Sequence, residues 1–252
     1  MPNAIDDLCY QLALANRIVA YEGVLDGFGH ISVRHPGKPD HYLLSRSRSP
    51  ELVEPGDILE LDIDSTVVTP GNILPYGECV IHGEIFRARP DVTTIVHHHS
   101  QAILPFCLTD LKLVPINSLG ATMGAVVPSW DSADEFGDTP MVLTTNEQGA
   151  SLARALGPHS MVLMRRHGAT VVGGSLKQAV FRSIMTPSQC RAAAARAHGG
   201  QGHAAQRRRG EALARLFAAG AAARPRLGIL GHAADQGRRT AAPHQDAGWR
   251  EE

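Results

Sequence analysis

The chain is poor in cysteine, nearly free of net charge and without long hydrophobic runs. Its four cysteines (Cys9, Cys79, Cys107 and Cys190) stand far apart in 252 residues, with no CxxC pair. That excludes a zinc ribbon and a disulfide-stapled miniprotein and fits the reducing cytoplasm. Lys and Arg total 24 against 25 Asp and Glu, a formal charge of −1. No general electrostatic case exists for nucleic acid or an anionic membrane. No stretch is apolar for long enough to cross a bilayer. The opening MPNAIDDLCYQLALANRI has neither a basic start nor a continuous apolar core, so no secretory leader is expected. What is abundant is a hydrophobic content of 43%, against 19% charged residues, and 13 histidines. This composition argues against global disorder, and the length suits one α/β domain, or a domain with a tail.

Ile5, Leu8, Leu12, Ala15 and Val19 recur at helical spacing, with Asn3 as a cap and Asp6 and Asp7 in the first turn. Residues 30–35 and 41–45 flank the turn-rich PGKPD, which reads as an antiparallel hairpin. Residues 57–63 predict a strand. A helix opens at Glu78 and ends at Arg89-Pro90-Asp91. VTTIVHHH (92–99) is β-branched and strand-like. Residues 141–145 predict a short strand, 146–156 a helix, and 160–165 and 169–173 two further strands. Ser175 and Gln178 form a capping box before a last helix. The expected fold is α/β, with a mixed, largely antiparallel sheet covered by helices.

Near residue 186 the composition turns to Ala, Arg and Gly, with one short helical stretch at 211–219. Residues 1–186 are therefore taken as the domain that would carry any chemistry and 187–252 as a divergent tail. A mobile basic tail, a segment that packs only in an oligomer and a shifted reading frame all fit this composition. No chemistry is placed there.

The run His97-His98-His99 ends an apolar strand. Alternation projects His97 and His99 to one face and His98 to the other, and imidazoles at i and i+2 can chelate one ion. A lone histidine at a strand end is more often structural. His167 follows another apolar strand, in RRHG, where Gly168 permits a sharp turn. Glu78 opens the helix before the histidine strand. Spacing alone does not join His167 and Glu78 to the pair. HHH is also not the HExxH helix of a zinc protease.

GECVIHGEIFRARPDVTTIVHHHS, followed later by LMRRHGATVVGGSLKQAVFRS, resembles the class II aldolase/adducin superfamily over roughly residues 8–186. The resemblance implies an α/β/α fold around a mostly antiparallel sheet. It also implies one divalent ion per subunit (Zn, Mn, Fe or Co) held by Glu78, His97, His99 and His167, and a homotetramer. GFGHIS, LLSRSRSPEL and PYGE depart from the small, phosphate-cradling residues of the sugar-phosphate aldolases. With ANRIVAYEGVLDGFGHISVRHP, VPSWD and FGDT, they resemble a branch of metal-dependent decarboxylases acting on hydroxylated aromatic or pyridine dicarboxylates and on ring-cleavage dienoates. Related branch members are oxygenases acting on prenylated hydroxyphenyl acids.

That branch implies a decarboxylase of bacterial aromatic catabolism with a small carboxylate substrate. An aldolase on a non-phosphorylated hydroxy-keto substrate and a non-catalytic adducin-like module are the alternatives. The family implies that Glu78 doubles as acid/base. His30 is a second proton donor, or only a carboxylate partner or a solvated residue. Ser45, Arg46 and Ser47, with Tyr76, are the substrate-binding candidates, because Arg and Ser donors suit a carboxylate. Strand alternation would let only one pair of the SRSR run face a pocket. His82 shares the helical face of Glu78 and reads as orienting it or as buried structure. His35, His41 and His159 read as surface, and Trp130-Asp131 as pocket lining or packing.

Overall fold

The computed structural model describes residues 4–198. The Asn3 cap, the helical stretch at 211–219 and the other readings of 199–252 lie outside the described residues. In chain order the elements are α1 (Ala4–Tyr21), β1 (His30–Arg34), β2 (His41–Ser45), β3 (Ile58–Asp62), α2 (Cys79–Ala88) and β4 (Thr94–His98). There follow α3 (Leu104–Leu108), β5 (Ser129–Trp130), α4 (Ala133–Phe136), α5 (Asn146–Leu156), β6 (Met161–Met164), β7 (Gly168–Gly173) and α6 (Leu176–His198). The seven strands form one sheet in the order β3-β2-β1-β4-β7-β6-β5. Every pairing is antiparallel except β5 with β6.

Strand parity divides the side chains between two cores. Ile31, Val33, Leu43, Val96, Ala169 and Val171 pack beneath α1 and α6 with Leu12, Ile18, Val19 and Val180. Tyr42, Leu44, Ile95, Val162 and Val172 pack on the other face beneath α2 and α5 with Ile81, Ile85, Phe86 and Leu152. Burying each such large side chain contributes about 1.5–3 kcal/mol. The helices α2 and α5 lie close because α5 carries Gly149. A Cβ there would stand 2.6 Å from the Val80 carbonyl. The usual helix penalty of glycine is accepted at this position for a tighter helix pair.

Three sequence expectations are corrected. Residues 141–145 join no strand, because the Leu143 N–H is taken by the Glu78 carboxylate at 3.0 Å and Met141 has a left-handed φ of 61°. The boundary at 187 is not structural: α6 runs through Pro187 to His198, and Gln189 and Cys190 are fully buried. The Gln189 amide holds the Asn117 side chain at 2.6 Å and the Ile116 N–H at 3.2 Å, which ties this stretch to the domain. His35 is buried rather than superficial. The expected helix at 146–156, with its Thr145–Gln148 capping box, and the hairpin of β1 and β2 are present.

Among the described residues no helix is long and apolar enough to cross a membrane.

Candidate metal centre

The centre sits where β1, β4 and β7 lie side by side. Their register sets His30 opposite His97, and His97 opposite Thr170. These side chains therefore share the α2 face of the sheet. His99 follows β4, and His167 lies in the turn between β6 and β7, closed by its N–H to the Met164 carbonyl at 3.1 Å. Arg166 in that turn has a φ of 59°. A left-handed arginine costs about 1–2 kcal/mol. Two 2.9 Å bonds to the Asp131 carboxylate anchor it. Gly168 is needed for a close approach rather than for its own φ. A Cβ there would collide with the His98 carbonyl and stand 2.9 Å from the His99 ring.

Four side chains from distant stretches meet. His97 Nε2 and His99 Nε2 are 2.9 Å apart, and His99 Nε2 and His167 Nε2 are 3.1 Å apart. The Glu78 carboxylate lies 3.5 Å from both His97 Nε2 and His167 Nε2. One donor atom from each residue falls within 4.8 Å of all the others. Nitrogens bound to a tetrahedral zinc at about 2.05 Å stand roughly 3.3 Å from one another. The observed separations span that value.

The outer ring atoms agree. His99 Nδ1 faces the Asp26 carboxylate at 3.1 and 3.2 Å, which places its proton on Nδ1 and leaves a lone pair on Nε2. His97 Nδ1 lies 3.3 Å from the Thr170 hydroxyl. His167 Nδ1 is buried beside the Met141 backbone but meets no hydrogen-bond geometry. Three inward nitrogens and one carboxylate form a donor set that fits a divalent metal ion.

Electrostatics support the same reading. Burial alone would raise the Glu78 carboxyl, but hydrogen bonds and charge from His167 and His97 outweigh it and hold the group far below the ordinary carboxylate range. Burial pulls His97 down to about 4 despite Glu78. His167 is also penalised by burial, yet Glu78 raises it above the ordinary value. At neutral pH the carboxylate is ionised and His97 is neutral.

His30 is buried, not solvated. Its ring lies 5.1 Å from that of His97 and 4.5 Å from that of Tyr76. His82 is buried as well, and it bonds to His30 and Ser32 rather than to Glu78. Tyr76 is near the centre, but its hydroxyl already donates to the Arg48 carbonyl. Ser45 is buried with no partner for its hydroxyl, and Ser47 is exposed. The two arginines of the SRSR run turn to one side, as its alternation expected. Arg46 and Arg48 both reach Asp57, at 2.7 and 2.8 Å. Two guanidiniums share one carboxylate, which leaves a positive excess beside Tyr76.

Trp130 belongs to the core, its indole donating to Ser151 at 2.9 Å. A cavity of about 280 Å³ lies along the β5 edge, lined by Phe106, Asp110, Lys112, Asp131 and Arg165 among others, and includes none of the four converging residues.

Sequence reasoning missed Asp26, Thr170 and Ser32. Thr170 becomes visible only through the pairing of β4 with β7. Asp26 had a local signal, a carboxylate in the glycine-rich LDGFGH just before β1, where it accepts the Phe28 and Gly29 N–H groups at 3.0 and 2.9 Å.

The family described as Class II Aldolase and Adducin N-terminal domain matches residues 10–194. The chain belongs to this family. It is 35% identical over 176 residues to "Decarboxylase tropJ" of Talaromyces stipitatus, covering 65% of this chain and 66% of that one. It is 33% identical over 189 residues to a "3,4-dihydroxyphthalate decarboxylase" of Arthrobacter keyseri, covering 69% and 72% of the two chains. The match to tropJ thus spans just under two thirds of that relative's own length.

Among solved structures, an aldolase II superfamily protein from Pseudomonas syringae superposes with a TM-score of 0.73 at 21% identity, covering 95% of this chain and 94% of that one. An L-fuculose 1-phosphate aldolase from Glaciozyma antarctica gives 0.71 at 22%, covering 93% and 90%. These likenesses show the fold, as the sequence resemblance implied, and the decarboxylase-named relatives support a lyase.

Proposed function

We propose that this protein is a divalent-metal-dependent decarboxylase of a hydroxylated aromatic carboxylate or a carboxylated ring-cleavage dienoate, serving bacterial aromatic catabolism as a cytoplasmic homotetramer. The observation that carries the proposal is the convergence of Glu78, His97, His99 and His167 from three separate stretches of chain. Relatives named as decarboxylases favour loss of CO₂ over aldehyde release.

The four side chains would hold Zn, Mn, Fe or Co. Bound there, the ion supplies Lewis-acid stabilisation to the enolate electrons that departure of CO₂ leaves behind. This chain's own residues do the rest. Arg46 and Arg48, with their excess positive charge over Asp57, attract a substrate carboxylate, and the Ser45 and Ser47 hydroxyls lie on the same stretch. Tyr76 packs its ring against His30, where it would flank a flat substrate. His30 is the proposed carrier of the proton to the carbon that CO₂ leaves, taking that proton up from water so that each CO₂ lost is replaced by one H⁺, and Glu78 is the second candidate for the same relay.

The test is direct. Full-length protein loaded with Mn²⁺, Zn²⁺, Fe²⁺ or Co²⁺ is given 3,4-dihydroxyphthalate and a panel of ortho-hydroxy aromatic acids and carboxylated dienoates, and CO₂ is measured. Metal-dependent CO₂ release is expected. Aldehyde release from hydroxy-keto substrates would assign an aldolase instead. Protein that retains no stoichiometric metal and turns over nothing would mark an adducin-like module. Arg46→Ala is expected to raise KM about tenfold with kcat little changed, the signature of a lost ground-state carboxylate contact.

A further inference from the structure

A second polar cluster stands beside the metal centre, and the reaction sketched above uses only its end. His82 lies in the middle of α2 and is fully buried. Both of its ring nitrogens are engaged. Nε2 is 2.7 Å from His30 Nδ1, and Nδ1 is 2.6 Å from the Ser32 hydroxyl. Ser32 and His30 sit two residues apart on β1, so they present to the same face, and His82 bridges them from the helix above.

The chemistry of the chain is restrictive. Two ring nitrogens 2.7 Å apart can hold only one proton between them, so one ring donates and the other accepts. A neutral imidazole carries one N–H and one lone pair. One proton lies between the two rings, and the Ser32 hydroxyl completes the valence of His82 on its far side. His30 Nδ1 is therefore committed, and Nε2 is the nitrogen left for chemistry. An apolar residue at 82 would leave His30 Nδ1 and the Ser32 hydroxyl buried without that partner. Simple filling of the core does not call for an imidazole bonded at both ends.

We infer that Ser32 and His82 are positioning residues: through the chain Ser32–His82–His30 they lock the His30 ring in one tautomer and one orientation, leaving its Nε2 for the substrate. The catalytic consequence rests on the decarboxylase proposal, whereas the tautomer itself does not.

The experiment reads both. Imidazole ¹⁵N–¹H correlation spectra of uniformly ¹⁵N-labelled full-length protein, with His30 identified by its loss in His30→Gln, report the tautomer with or without added Zn²⁺. Wild type is expected to show one pyrrole-type and one pyridine-type nitrogen for His30. His82→Phe should collapse these toward averaged values, and Ser32→Ala, which touches only the far end of the chain, should shift them in the same direction. In turnover, His82→Phe should lower kcat about 10–100-fold at wild-type metal content with KM little changed.

The inference is overturned by averaged His30 nitrogens in wild type, by unchanged His30 shifts in either variant, or by wild-type kcat in folded His82→Phe. If His82→Phe does not fold, the Ser32→Ala spectrum decides. If wild type releases no CO₂ from any carboxylate, the proposed reaction fails while the spectra still decide the tautomer.

Discussion

His97 and His98 are neighbours in sequence, equally buried and chemically identical, yet they belong to different regions of the molecule. His97 faces α2, with a ring nitrogen directed at two imidazoles and a carboxylate. His98 shares the opposite face with Val96, which packs beneath α1 and α6. Its Nδ1 accepts the Ser100 N–H at 3.3 Å, and its Nε2 has no partner. The contrast teaches that a histidine becomes a metal-ligand candidate through strand parity and through what the facing elements bring to it.

The sharpest way to break the contrast is His97→Ala. Metal retention and turnover should both be abolished while the far-ultraviolet circular dichroism stays that of a folded α/β protein. Full metal occupancy in this variant, measured by atomic emission, would sink the ligand assignment. Asp26→Asn should come next. It leaves the four donors in place but removes the charge that holds the proton on His99 Nδ1, so metal affinity should fall about 10–100-fold. An unchanged chelator-competition curve would reduce Asp26 to a loop brace.

A smaller effect is expected at the rim. Burial opposes the Asp57 charge, but the Arg46 hydrogen bond, the Glu54 N–H and the nearby Arg48 hold the carboxyl below its ordinary value. A depressed carboxyl pKa contributes stability that is present above the unfolded value and is lost as pH falls through the folded one. Asp57→Asn should therefore cost about 1 kcal/mol at pH 7, and the deficit should close as the solution is acidified toward pH 3. Urea midpoints for both proteins at the two pH values test this; a deficit independent of pH would show that the charge is not the cause.

His98→Leu should do least. It removes one weak hydrogen bond and one unpaired buried ring nitrogen, terms of similar size and opposite sign, so stability should stay within about 1 kcal/mol of wild type. Metal content should be unchanged, and any loss of metal would mean that the two faces are not separate.

Much of this was legible in the chain. The helical spacing of Leu12, Ala15 and Val19 and the alternation in VTTIVHHH are local patterns, and local patterns survive folding because they are set by backbone geometry. The pairing of His97 with His99 follows from the two-residue period alone. Other features were not legible. Residues 141–145 look like a strand, but the Leu143 N–H goes to the Glu78 carboxylate rather than to a neighbouring strand. The Ala- and Arg-rich turn in composition near 186 looks like a boundary, yet Gln189 and Cys190 are interior because α6 lies across the sheet. The arginines of SRSR converge on one aspartate because Asp57, eleven residues beyond Arg46, returns beside them.

By itself, then, the sequence determined most of the longer elements, the alternation of side chains along each strand and the histidine pair, since these depend on neighbours within a few bonds. Only the tertiary structure decided that Glu78 and His167 stand within reach of that pair, that Asp26 and Thr170 back two of the rings, and that His82 bridges Ser32 to His30. Those contacts join residues from 50 to 73 positions apart for the last three, and register across a sheet is a property of the packed whole.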